Sequence, residues 1–403
     1  MFGRFGSLSD MLQAYLRART TDGSPMAAPK AVFIHSSDLE QYPYPPDCPF
    51  NTQRAGMARS ILASMGLLTG PDRSEAAPEP AERDTLERFH TARYLDVLAD
   101  AAMGNMGPEG LHMGLGTPDC PVFAGLYDYA VLACGATLTG ARLILSGEAG
   151  VAFNPSGGYH HAGPDYAAGF CYVNDSALAC MILAGEGNRV FYLDVDAHHG
   201  DGVENAFYDR SDVMTLSFHE SGKTLFPGTG FEYDTGSGDG EGYAANVPLP
   251  VGTHDAAFMR AFEAVAVPLI GAYDPDVVVM ELGMDGLAGD PLTHLGLTNN
   301  VYADVIRHVL AAGKPVLAVG GGGYHVANTA RAWALAWTAL CGQDADETMS
   351  LGLGGVMLES TDWAGGLRDR ALVPDERLRR AVDPIVDRTI ETVRRNLFRF
   401  HGL

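Results

Sequence analysis

Val190–Gly202 reads V-F-Y-L-D-V-D-A-H-H-G-D-G, a short apolar run ending in Asp194, Asp196, His198, His199 and Asp201. β-Branched and aromatic residues in a run of this length predict a buried strand. Side chains alternate along a strand, so Asp194, Asp196 and His198 start on one side before the glycines turn the chain. Three carboxylates and two imidazoles at the end of a buried strand are costly as core. A bound cation supplies the opposite charge they need. The competing reading is a polar loop or helix cap that happens to be rich in Asp and His.

Working outward, apolar runs at 31–35, 151–154, 213–218, 276–283 and 315–320 predict further strands. Residues 51–67, 81–101 and 122–145 carry helical patterns, with a Gly/Pro/Met-rich loop at 104–121 and an acidic loop at 236–242. Strands alternating with helices predict a single-domain α/β fold, a mostly parallel sheet with helices on both faces. Ligands in such sheets gather beyond the carboxyl ends of the strands. The polar motifs obey that rule. His160 and His161 follow one strand, Asp194 to Asp201 end another, Asp285 follows a third and Gly320–Tyr324 a fourth.

Composition narrows the partners. Lys and Arg number 27 against 50 Asp and Glu, a net charge of −23 that repels phosphate backbones, so no nucleic-acid partner is expected. No stretch reaches the roughly 18 uninterrupted apolar residues of a membrane span, and no membrane association is expected. Residues 1–29 lack the apolar core of a secretory signal. The six cysteines form no C-x-x-C pair, which argues for reduced thiols and a cytoplasmic protein. Leu8, Met11, Leu12, Tyr15 and Leu16 fall at helical spacing. Residues 1–29 therefore read as a helical extension, docked on its own domain or on a neighbouring subunit of a homo-oligomer. Residues 30–403 read as the domain proper, with a C-terminal helical region over 374–400.

Asp196, His198 and Asp285 make a plausible ligand set, because two carboxylates and one imidazole leave coordination positions open for catalysis. Zinc is the first choice; ferrous iron or cobalt also suit oxygen and nitrogen donors. His160 and His161 gain weight from nearby carboxylates, since an acid on the far ring nitrogen fixes the tautomer and raises basicity. Such a dyad beside an activated water is a general base. Gly320–Gly323 lets backbone pass close to a ligand, and Tyr324 then stands where its hydroxyl can meet an oxyanion. Phe170 and Phe226, each in a glycine-rich loop, could line a slot for an aliphatic chain.

G-G-Y-H-H-A, G-F-C-Y-V-N-D, D-V-D-A-H-H-G-D-G-V, F-P-G-T-G, G-D-P-L-T-H-L and G-G-G-G-Y together resemble the zinc-dependent histone deacetylase family. The segment G-L-G-T-P-D-C-P-V-F-A-G with D-P-L-T-H-L is most similar to its bacterial acetoin-utilisation members. The likeness covers about residues 31–340, in the family's order, and the motifs are highly specific in combination. It implies the arginase/deacetylase-like fold with an eight-stranded sheet, and hydrolysis of N-ε-acetyl-lysine. Asp196, His198 and Asp285 match the metal ligands. His160 and His161 match the tandem histidines, with Asp194 and Asp201 as their respective carboxylates. Tyr324 matches the oxyanion-stabilising tyrosine. Phe170 and Phe226 match the aromatic pair around the acetyl-lysine stem, with Gly169 beside it, Leu292 a lining position and Asp119 the rim aspartate. Asp194 and Ser217 match a structural potassium site. Many relatives carry Gln at the position of Glu281 and Ala or Cys at that of Met284.

The expected partner is therefore an acetylated lysine in a protein or peptide, or a small acetylated amine. Acetylpolyamine hydrolysis is the nearest rival, disfavoured by Leu292 in place of a gate carboxylate. A two-metal arginase-like reaction would want D-x-D where this chain has Gly283-Met284-Asp285. A non-catalytic acyl-lysine binding module is the remaining alternative.

Overall fold

The computed structural model describes residues 30–42, 44–343 and 366–403, so the extension over 1–29 lies outside the described residues. Eight strands build the sheet: β1 (Ala31–Ile34), β2 (Arg73–Ala76), β3 (Val151–Asn154), β4 (Val190–Asp194), β5 (Val213–Glu220), β6 (Ala244–Leu249), β7 (Val277–Glu281) and β8 (Val316–Val319). Their spatial order is β2-β1-β3-β8-β7-β4-β5-β6, and every pairing is parallel. Six coincide with the apolar runs. The two unforeseen strands are the sheet's edges. β2 reads R-S-E-A and is half-exposed, while β6 reads A-A-N-V-P-L and carries Pro248, which only an edge accommodates readily.

The sheet is buried on both faces, and the alternation is visible residue by residue. Phe191, Leu193, Val278 and Met280 point into one core, against helices Arg54–Ser64, Asp255–Tyr273, Asn299–Ala311, Val326–Leu340 and Glu376–Leu397. Val190, Tyr192, Val277 and Val279 point into the other, against helices Ala92–Ala102, Leu126–Leu145 and Asp175–Gly185. Continuous apolar strands are what two covered faces require. Leu126–Leu145 and Asp255–Tyr273 are long and apolar enough, by length and composition, to cross a membrane. Each instead lies against the sheet with its apolar side in a core, which accounts for its composition.

The pattern over 81–101 does not give one helix. It breaks into Arg83–Leu86 and Ala92–Ala102, because the Thr91 hydroxyl accepts the Tyr94 N–H at 3.2 Å and caps a new start. The loop expected over 104–121 holds one short helix, Pro108–His112.

β7, β4 and β5 lie side by side with Asp194, Ser217 and Glu281 in register, so their carboxyl ends form one platform. Trp333 pins it from below: its indole N–H donates to the Leu282 carbonyl at 2.8 Å, both residues being fully buried. Trp333→Phe keeps most of the apolar contact but leaves that carbonyl unpaired. The expected loss is about 1–3 kcal/mol, read from urea unfolding; an unchanged midpoint would mean that the carbonyl finds another donor.

Candidate active site

The turn after β4 is shaped by its own acids. Asp194 Oδ1 accepts the Asp196 N–H at 3.0 Å, and Asp196 Oδ1 accepts the His198 N–H at 2.8 Å. These local bonds shape the turn and aim Asp196 and His198 at one point. From the next strand, Asp285 Oδ1 accepts the Ala197 N–H at 2.8 Å. Asp196 Oδ2 takes the Gly322 N–H at 2.6 Å, which draws the glycine loop after β8 over the same point. A side chain at Gly322 would put its Cβ 2.0 Å from Asp285 Oδ2, so only glycine fits there.

Asp196, His198 and Asp285 are all buried and offer ligand atoms within 4.8 Å of one another. His198 Nδ1 lies 3.1 Å from Asp196 Oδ1 and 2.8 Å from Asp285 Oδ2. Burial lowers the proton affinity of His198, but Asp285 and Asp196 outweigh it and push the imidazole up to about 10. Burial and the charge of Asp196 push Asp285 up to about 7. Two buried carboxylates facing one imidazole hold a proton that a divalent cation would displace, and the donor set fits such an ion. A second group, His160, Asp196 and Glu281, also converges. His160 there is already engaged on both nitrogens.

The two histidines after β3 each have a carboxylate. His160 Nδ1–H donates to Asp194 at 2.8 Å, and His161 Nδ1–H donates to Asp201 at 2.7 Å. Their Nε2 atoms face each other at 3.0 Å, which requires one proton between them. That proton belongs to His160. Burial opposes its charge, but Glu281 and Asp194 raise His160 well above the ordinary value. Burial and the neighbouring positive charge lower His161 to about 4, so it stands as the neutral base of the pair. His199 does not join them; it meets the Thr229 hydroxyl at 2.9 Å and packs on His219.

Apolar groups close round these atoms. The Phe226 ring lies 5.0 Å from His161 and 6.4 Å from His198, and Phe170 lies 5.6 Å from Tyr324. A Cβ at Gly169 would come 2.4 Å from the His161 ring and 3.1 Å from Phe226, so the missing side chain keeps a slot open. Asp119 braces that wall, its carboxylate accepting the Gly169 N–H at 3.1 Å and its carbonyl the Phe170 N–H at 2.8 Å. Tyr324 stands edge-on to His198, 6.3 Å between ring centres. Burial, with the charges of Asp285 and Asp196, raises its hydroxyl well above 10, so it keeps its proton as a donor. Leu292 lies half-buried in the loop after β7, its N–H bonded to Asp290 at 2.9 Å. Asp194 and Ser217 are register partners on β4 and β5, and the Ser217 hydroxyl meets His219 Nδ1 at 2.8 Å.

Several supporting residues escape a motif reading. The Arg54 guanidinium, stacked on Phe50 and Trp333, donates to the Gly323 carbonyl at 2.7 Å. Asp175 accepts the N–H groups of Gly158 and Tyr159 and the Thr137 hydroxyl, holding the turn that leads to His160. Tyr192 bonds Asp194 at 2.7 Å. Only Tyr192 had a local signal, since it sits two residues before Asp194 on the same strand face.

A parallel sheet with acids and imidazoles gathered at its carboxyl ends around a cation-fitting centre defines a class of metal-dependent hydrolases. The histone deacetylase domain matches residues 48–340 of this chain. The acetoin utilization protein AcuC of Bacillus subtilis is 41% identical over 322 residues, covering 78% of this chain and 83% of that protein. Histone deacetylase 8 of Xenopus tropicalis is 42% identical over 283 residues, 70% of this chain and 76% of that one. The crystal structure of a histone deacetylase homologue from Aquifex aeolicus superimposes with a TM-score of 0.79 at 32% identity, over 90% of this chain and 99% of its own. Such a homologue complexed with SAHA gives 0.78 at 31% identity, over 91% and 100%. The chain belongs to the histone deacetylase family.

The surroundings of Glu281 show how a buried carboxyl is tolerated at this position. It is fully buried, so it is not solvated. Its Oε2 accepts the Ser176 hydroxyl at 2.8 Å and lies 2.7 Å from the Tyr192 hydroxyl, which is also 2.7 Å from Asp194 Oδ2. One phenolic proton cannot serve two carboxylate anions. Tyr192 donates to one of the two, and Glu281 Oε1 lies 3.2 Å from His160 Nδ1, so the charge of Glu281 is tied to that of His160. Burial, reinforced by Asp194 and Asp175 against the opposing charge of His160, raises Glu281 well above its ordinary value of 4.5. Stability from a carboxyl raised in the native state is complete below the unfolded value and drains as pH climbs toward the native one. Glu281→Gln has no proton to lose. Its thermal midpoint relative to wild type should therefore rise as pH goes from about 4 to about 8. A difference that stays constant across that range would place an anion at Glu281.

Proposed function

We propose that this protein is a lysine deacetylase, releasing acetate from N-ε-acetyl-lysine in proteins or peptides. The observation that carries the reading is the His161–Asp201 pair, the Tyr324 phenol and one cation-fitting set of acids, gathered round a slot kept open at Gly169. Asp196, His198 and Asp285 would hold the metal, with zinc the first choice and ferrous iron or cobalt compatible with the same donors. When bound, such an ion polarises an amide carbonyl and makes water a stronger acid. His161, neutral and oriented by Asp201, takes the proton from the attacking water and later delivers it to the leaving amine. His160, charged and held by Asp194, stabilises the negative charge that develops beside it. Tyr324 donates its phenolic hydrogen to the oxyanion. Phe170, Phe226, Gly169 and Leu292 shape the passage for the four-carbon stem, and Asp119 stands at its rim. A potassium ion near Asp194 and Ser217 belongs to the same proposal and rests on the family resemblance. All six cysteines are free, which fits a reducing cytoplasm.

Metal content, turnover and binding test this reading. Asp196→Asn and His198→Ala should each lower bound metal to background by mass spectrometry and abolish acetate release; full occupancy in both would remove them from the ligand set. Tyr324→Phe should keep metal and fold while kcat falls about 10²–10³-fold, roughly 2.7–4 kcal/mol. Substrate affinity, titrated directly because KM need not equal a dissociation constant, should change far less. Faster turnover of acetylpolyamines than of acetyl-lysine peptides would shift the substrate to small amines. Binding without turnover across several metals would make the protein a binding module.

A further inference from the structure

The peptide unit joining Gly323 to Tyr324 is gripped from both sides. Arg54 donates to its carbonyl at 2.7 Å, and Asp290 Oδ2 accepts its N–H at 2.8 Å. Asp290 is 8% exposed and comes from a different loop, between β7 and helix Asn299–Ala311. Its other oxygen accepts the Leu292 N–H at 2.9 Å. One buried carboxylate thus ties the loop carrying Leu292 to the residue carrying the phenol, 34 positions further along the chain.

This tie has a directional consequence. Gly323 adopts a φ of +128°, open to glycine and strained for other residues, so nothing local dictates how the next peptide plane is turned. The plane's orientation sets where the Cα–Cβ bond of Tyr324 points. A charged acceptor on one edge and a guanidinium on the other fix it, each bond being charge-assisted. Tyr324 has no hydrogen bond from its hydroxyl to any described residue, so its placement depends on its backbone and its ring contacts with Phe170 and His198.

We propose that Asp290 is a positioning residue for the reaction, holding the Gly323–Tyr324 peptide so that the phenol meets the developing oxyanion. The inference rests on the deacetylase reading above, and Asp290 itself touches no reacting atom. Mispositioning a catalytic group by about 1 Å costs on the order of 10²-fold. Asp290→Ala, which removes both acceptors, should therefore lower kcat by about that factor, with directly titrated substrate affinity changed by less than about tenfold.

The deciding experiment is a double-mutant cycle with Tyr324→Phe on the metal-loaded full chain, with metal content and thermal midpoint recorded for every variant. If Asp290 acts through the phenol, adding Asp290→Ala to Tyr324→Phe should leave kcat within about twofold of the Tyr324→Phe value. Losses that multiply would overturn the proposal and leave Asp290 as a general brace for its loop. Near-wild-type kcat in Asp290→Ala would overturn it equally. Should that variant not fold, Asp290→Ser, which can still accept one N–H, is read in the same cycle with the same two outcomes. If wild type and Tyr324→Phe turn over alike, the role given to Tyr324 fails, which is a distinct result from additivity between two active variants.

Discussion

Asp194, Asp196, Asp285 and Glu281 are almost wholly buried within a few ångströms of the carboxyl ends of β4 and β7, and the remainder of the site is arranged around that concentration of acid. Unpaired anions in such surroundings are far too costly to persist. Each is answered in a different currency of positive charge or hydrogen. Asp194 takes the proton-bearing nitrogen of His160 and the hydroxyl of Tyr192. Glu281 accepts the Ser176 hydroxyl and faces His160 Nδ1 at 3.2 Å. Asp196 and Asp285 share His198, and they are the pair for which a cation is the natural answer. The same geometry raises the proton affinity of His160 and lowers that of His161 beside it.

Loops held by carboxylates recur around this centre. Asp175 collects the backbone donors of the turn before His160, Asp290 those of Leu292 and Tyr324, and Asp119 that of Gly169. The irregular backbone before His160, at Gly169 and at Tyr324 is thus ordered by another segment. Buried backbone donors must find acceptors. A carboxylate with two oxygens serves two loops at once, and a charged acceptor forms the stronger bond. Rigid strands set the approximate location of the site, while these acids set its finer geometry.

Apolar packing and the site meet at the glycines. Gly322 lets backbone reach Asp196, and Gly169 leaves room between His161 and Phe226. A Cβ at Gly322 would come 2.0 Å from Asp285 Oδ2, and one at Gly169 2.4 Å from the His161 ring. The same economy places Trp333 beneath Leu282, where a large ring supports the strand end and its one polar atom satisfies a carbonyl.

Much of this was legible in the amino-acid order alone. The inner strands are apolar runs because both faces of the sheet are covered, and the acids and imidazoles follow those runs because a strand's end is where a parallel sheet leaves space. The edges were not legible. R-S-E-A and A-A-N-V-P-L carry no strand pattern, and their pairing is decided by the neighbour rather than by their own side chains. The break at Thr91 was hidden because a cap competes with an uninterrupted helical pattern. Asp196, His198 and Asp285 could be selected by residue type and place, since ligand chemistry demands those types. Arg54, Asp175, Asp290 and the state of Glu281 could not. Their roles exist only through partners distant in the chain, 269 positions away for Arg54 and 105 for Glu281 with Ser176. Local order determined which strands form and what chemistry stands at their ends. Only the tertiary structure decided which acids keep protons and which peptide planes are held, because those depend on which buried groups come to share a space.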